Sequence, residues 1–144
     1  MVKYSREEIL KKIQENTVDL DNSKTVLRVS KQFKFSSAHK LPNYDGLCAN
    51  LHGHEWVVEV EVKGNINEDT GMLVDFTYLK KIVNEKVIKI FDHHYLNNEL
   101  HNPTAENISC TIFMMLADYI KGINRISVWE TASSRCDFIV DDNR

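Results

Sequence analysis

"HGHEWVVEVEVK", residues 52–63, decides how this chain folds. From His54 to Lys63, Trp56, Val58, Val60 and Val62 share one parity, while Glu55, Glu59 and Glu61 take the other. A period of two belongs to a β-strand with one buried and one solvated face, because successive side chains point to opposite sides. Upstream, Leu27, Val29, Phe33 and Phe35 alternate with Arg28, Ser30, Gln32 and Lys34, so Val26 to His39 reads as a strand of the same kind. The stretch between them, "KLPNYDGLCAN", holds Pro42, Asn43, Asp45 and Gly46 and is expected to be a loop.

Working outward, "GNINEDTG" is a turn-rich connection, and "MLVDF" at 72–76 is a short apolar stretch leading into a helix. Leu79, Ile82, Val83, Val87, Ile90 and Phe91 recur at helical spacing up to "FDHHYLNN". Pro103-Thr104 opens a second helix, with Thr104 as its N-cap. Its stripe is Ile108, Ile112, Met115, Leu116 and Tyr119, and Gly122 would end it. "ISVWETA" (126–132) and "CDFIV" (136–140) close the chain as strands. At the other end, Ser5-Arg6-Glu7-Glu8 is a capping box for a short helix to about Asn16, and "NTVDLDNSK" is a linker. The chain therefore divides into a helical arm and linker over 1–25 and one domain over 26–144. Strands and helices that do not strictly alternate predict an α+β fold, with helices on one face of an antiparallel sheet.

With 144 residues and 42% hydrophobic content, the chain suits a single domain with a real core. A net charge of −3 spread along the length argues against nucleic acid as a partner. The charged N-terminus lacks the apolar core of a signal peptide, and no stretch reaches membrane-spanning length. Three cysteines leave at least one unpaired, so reduced thiols and a cytoplasmic location are expected.

His52 and His54 are two apart, which on a strand puts both imidazoles on one face with Cβ atoms about 6–7 Å apart. His39, at the end of the preceding strand, supplies a third nitrogen if the two strands pair antiparallel. Three neutral imidazoles with an open position describe a catalytic zinc site. Cys48 then has three readings: a fourth ligand closing a structural zinc, an inert thiol, or a thiolate beside an open cation site. Spacing does not separate the first from the third. Asp92 beside His93 is an orienting carboxylate with an acid–base imidazole, or a solvated helix end. Glu130, inside an apolar strand, needs a partner, and a ligand's N–H groups would serve.

These pieces together resemble the family of 6-pyruvoyl-tetrahydropterin and 6-carboxytetrahydropterin synthases. The matching stretches are "FKFSSAH" ending at His39, "CANLHGH" (48–54), "MLVDF" (72–76), "DHHYLN" (92–97), "NPTAEN" (102–107) and "VWET" (128–131), in unbroken order over about residues 26–140. The short Cys-x-x-x-His-Gly-His spacing resembles the bacterial 6-carboxytetrahydropterin branch. The resemblance implies a T-fold, a four-stranded antiparallel sheet with two helices on one face. Subunits would join into a barrel as a trimer or hexamer, with active sites between them.

The resemblance further implies a zinc-dependent lyase of queuosine biosynthesis. It would turn 7,8-dihydroneopterin triphosphate into 6-carboxy-5,6,7,8-tetrahydropterin, acetaldehyde and triphosphate. Zn2+ would sit on His39, His52 and His54, Cys48 would be a base and not a ligand, and His93 oriented by Asp92 would move protons on the opposite side. Glu130 would hold the pterin's 2-amino and N3–H groups, with Thr104 and Glu106 nearby. His94 stands where this family more often has lysine or arginine. A pyruvoyl-forming or other side-chain-processing relative is the alternative reaction. A pterin binder with structural zinc would not need the full Cys, Asp–His and Glu set. Cys110, Cys136, His101, Trp56 and Trp129 are expected to be packing or surface residues.

Overall fold

The structure, a computed structural model, describes residues 5–14 and 27–140. The N-terminal helix α1 (Arg6–Gln14) starts with the expected capping box, since Ser5 N–H donates to Glu8 Oε2 at 2.7 Å and Glu8 N–H to Ser5 Oγ at 3.2 Å. Asn16 and the linker "NTVDLDNSK" lie outside the described residues.

Strands β1 (Leu27–His39), β2 (His52–Gly64), β3 (Ile123–Thr131) and β4 (Ser134–Ile139) form a sheet in that order, every neighbour antiparallel. β2 begins two residues before the expected His54, because the backbone ladder with β1 runs to the pair His39 and His52. Phe35 faces Trp56 and Phe33 faces Val58, so the two apolar parities fall on one side of the sheet. Val58 faces Val128 and Val60 faces Ile126, which extends that side across β3.

On this side lie two helical segments. α2 (Phe76–Val83) is capped by Asp75, whose Oδ1 accepts the Thr77 N–H at 2.7 Å. It passes through a π turn (Asn84–Ile88) into the short α3 (Lys89–Phe91). α4 (Ala105–Leu116) is capped by Thr104, whose Oγ1 accepts the Asn107 N–H at 3.2 Å. Leu79, Val83, Val87, Phe91, Ile108, Ile112 and Leu116 close over Phe35, Trp56, Val58, Val60 and Val128 as one core.

Two expectations need correction. α4 stops at Leu116, well before Gly122, and Tyr119 is 45% exposed. The chain tightens after Leu116, with Tyr119 N–H donating to Leu116 C=O three residues back, and this turn delivers Ile120 to the core instead. Gly122 serves the sheet: at φ +78 its carbonyl accepts the Lys63 N–H at 2.8 Å, and a Cβ there would lie 2.6 Å from the Lys63 carbonyl oxygen.

The face without helices is polar. Lys34 pairs with Glu55 at 3.0 Å, and Arg125 reaches Glu59 at 3.0 Å and Glu61 at 2.7 Å. β1 and β4 are the edges of the sheet. Part of the β1 edge is covered by the segment after α3: His93 N–H donates to Ser36 C=O at 2.7 Å, and Ala38 N–H to His94 C=O at 3.3 Å. No helix among the described residues is long and apolar enough to cross a membrane.

Candidate active site

The last two residues of β1's inward parity are Ser37 and His39, and the first two of β2's are His52 and His54. Antiparallel pairing therefore brings all three histidines to one end of the sheet, beyond Trp56, whose ring meets those of His39 and His54 edge-on at 5.0 and 5.3 Å. His39, His52, His54 and Glu130 each offer a donor atom within 4.8 Å of the others.

The hydrogen bonds assign the tautomers. His39 Nδ1 lies 2.8 Å from the Pro103 carbonyl, and His52 Nδ1 lies 2.8 Å from the Asn50 carbonyl. A carbonyl only accepts, so each Nδ1 carries the proton and each Nε2 presents a lone pair. Those two Nε2 atoms stand 3.0 Å apart. Two lone pairs at that distance repel unless a proton or a cation lies between them. Nitrogens sharing a tetrahedral zinc stand about 3.3 Å apart, from Zn–N bonds of about 2.0–2.1 Å. His54 Nε2 is buried without a hydrogen bond. Its 3.1 Å approach to Glu130 Oε1 is an ion-pair distance without hydrogen-bond geometry. Two imidazole lone pairs set by backbone carbonyls, with the partnerless Nε2 of His54 beside them, fit a divalent cation with a taste for nitrogen. Burial pushes His39 below the ordinary histidine value, which favours its neutral form, against the raising effect of the Pro103 hydrogen bond.

Glu130, expected from sequence to wait for a ligand's N–H groups, has its Oε1 3.1 Å from His54 Nε2 and 3.3 Å from His39 Nε2. Cys48 lies in a helical turn (Leu47–Ala49) of the β1–β2 loop, half-buried, and is not among the converging donors. Asp92 and His93 form the expected pair, with Asp92 Oδ2 2.9 Å from His93 Nδ1. Asp92 Oδ1 also accepts the Ser36 N–H at 2.9 Å, and these two bonds hold its carboxyl below the usual range. His93 sits at φ 57, a left-handed conformation uncommon outside glycine, fixed by its own N–H on Ser36. Its ring is 81% exposed. His54, His93 and His94 together line an open cleft of about 500 Å³ along Ser36–Ala38. Thr104 is engaged as the α4 cap, and Glu106 is exposed in the first turn. Cys110 and Cys136 are half-buried, with Cys136 Sγ 3.6 Å from Ser109 Oγ, and neither is among the converging donors.

Sequence reasoning missed the supports. Pro103 and Asn50 act through backbone carbonyls, which carry no side-chain signal. Ser36 holds Asp92 through its N–H. Asn97 accepts the Lys40 N–H at 2.9 Å and donates to the Lys40 carbonyl at 2.8 Å, side by side with His39. Asn97 stood inside the quoted "DHHYLN", yet only the fold shows its partner.

The family description of 6-pyruvoyl tetrahydropterin synthase matches residues 28–139, and the chain belongs to that family. A protein of Archaeoglobus fulgidus named putative 6-carboxy-5,6,7,8-tetrahydropterin synthase is 46% identical over 67% of this chain and 81% of its own length. A dihydroneopterin monophosphate aldolase of Pyrococcus furiosus is 36% identical over 72% of this chain and 89% of its own. Among solved structures, the 6-pyruvoyl tetrahydropterin synthase of Caenorhabditis elegans superposes with a TM-score of 0.74 at 23% identity, covering 81% of this chain and 97% of that one. The fold is thus the T-fold subunit, a four-stranded antiparallel sheet with helices on one face.

Proposed function

We propose that the chain is a zinc-dependent lyase that converts 7,8-dihydroneopterin triphosphate and one water, which the atom balance requires, into 6-carboxy-5,6,7,8-tetrahydropterin, acetaldehyde and triphosphate, a step of queuosine biosynthesis. The observation that carries it is the three-imidazole cluster with Cys48 outside the donor set and a preset Asp92–His93 pair beside the same cleft. His39, His52 and His54 would hold zinc, which when bound supplies a Lewis acid for the substrate's side-chain hydroxyls.

Around it, the chain's own groups divide the work. Cys48 takes a proton from the substrate side chain as a thiolate. His93, which lines the cleft and has Nδ1 fixed by Asp92, is left with Nε2 to move protons on the opposite side. Glu130 accepts the pterin's 2-amino and N3–H donors through charge-assisted hydrogen bonds. Thr104 and Glu106 contribute at the ring's edge. Subunits join their β1 and β4 edges into a trimeric or hexameric barrel, which buries ladder groups otherwise left open and puts the sites between subunits.

The test is turnover by the purified zinc form against Cys48→Ala, following acetaldehyde and metal together. Wild type should release acetaldehyde, and the variant should keep its zinc while losing activity by about 10²-fold or more. Loss of zinc in the variant would make Cys48 a ligand. A second reaction is favoured by the aldolase relative: cleavage of the pterin side chain without carboxylate formation. Product analysis separates them, because acetaldehyde appears only in the first.

A further inference from the structure

We propose that Glu130 closes the cation site while no pterin is bound, and leaves it for the ring when substrate enters. This rests on the reading of the site given above. One carboxylate would then serve two partners in turn.

The geometry supplies both ends of the exchange. β3 pairs with β2 through Val57 and Trp129, which places Glu130 at the end of its strand above the histidines. Its Oε1 is within 3.1 and 3.3 Å of two of the converging nitrogens. The Glu130 side chain is 29% exposed, against 20% for His54 and 1% for His39, so the carboxylate stands nearer to solvent than either ring it approaches. Three neutral imidazoles would leave a dication's full charge in a partly buried site, and a carboxylate halves it.

The pterin's adjacent N–H donors make the competing demand. Bidentate recognition uses both carboxylate oxygens side by side, and an Oε1 turned into the histidine cluster is not available for that. Binding the ring therefore draws Glu130 away from the cation. The exchange breaks one coordinate bond and forms hydrogen bonds, with no electron or proton transferred. Its consequence is that the cation gains its open position only when a pterin is in place, which keeps it masked from water and stray ligands.

Coupling of this kind is reciprocal: a ring that removes Glu130 from the cation must weaken cation binding, and zinc must weaken ring binding by the same factor. The experiment measures zinc affinity by chelator competition, in wild type and Glu130→Gln, with and without a pterin that lacks the side chain and so does not react. Wild type alone should bind zinc about tenfold or more tightly than Glu130→Gln, on the scale of losing a ligand contact. Saturating pterin should bring wild type down to the affinity of the variant. Circular dichroism checks that the variant is folded, and the wild-type measurement needs no variant at all. Equal zinc affinity in the two proteins, or wild-type affinity unmoved by bound pterin, would overturn the exchange while leaving the functional reading in place. A wild type that binds neither zinc nor pterin would overturn both.

Discussion

His39 is the side chain on which the site turns. It is 1% exposed, donates from Nδ1 to Pro103 and faces two other imidazoles. Burial lowers its pKa, so the neutral form is the native one and folding is opposed once it must be protonated. The stability this contributes is complete above about pH 6.5, the unfolded value. It is lost as pH falls through the lower folded value. In chelator-treated protein, the thermal midpoint should therefore drop as pH is taken from 7 to 5, and the drop should shrink in His39→Gln. A midpoint flat over that range would contradict the assignment. His39 was legible in the sequence as a candidate donor beside His52 and His54, because its parity follows Phe33 and Phe35. Its anchor on Pro103 was not, since that contact spans 64 positions and uses a carbonyl.

At the level of elements, the segment from Asp92 to Asn97 is a turn fastened to the edge of β1, with a single bridge between Ala38 and Tyr95. Its fastenings are His93 on Ser36, Ala38 on His94, and the two hydrogen bonds between Asn97 and the Lys40 backbone. The sequence offered this stretch as an acid–base pair or as a solvated helix end, and both readings left its edge pairing unseen. Edge pairing matters here because it holds His93 in its left-handed conformation beside the cleft. Asn97→Ala should remove both Lys40 bonds and cost about 1–3 kcal/mol, read as a shift in the denaturant midpoint. Amide exchange at His93 and Ala38 should rise in the same variant. If the midpoint moves and exchange there does not, Asn97 acts elsewhere.

For the whole molecule, the family match begins at residue 28, one residue into β1. The chain from β1 onward should thus form the core and bring the histidine cluster together without the arm. A chain lacking residues 1–25 is expected to bind zinc with the same stoichiometry as the full chain and to keep a cooperative thermal transition. Sedimentation of both chains would show whether removing the arm changes the oligomeric state. Loss of zinc binding on truncation would mean that the arm completes the site.

By itself the sequence determined what repeats or lies close along the chain. Period-two parity placed Trp56, Val58, Val60 and Val62 on one face and His39, His52 and His54 with them. Helical spacing, with Thr104 read as an N-cap, located the two helices, while the Asp75 cap appeared only in the structure. Tertiary structure decided everything that depends on distant backbone. It ended α4 early so that Ile120 could enter the core, and gave Gly122 to the sheet in place of a helix cap. It set the His39 Nε2 lone pair by fixing Nδ1 on the Pro103 carbonyl, and it brought Glu130 from a third strand to the histidines. The physical reason is that side-chain parity is a local property of each strand. Register, backbone hydrogen bonding and the approach of a carboxylate across strands exist only once the sheet has closed.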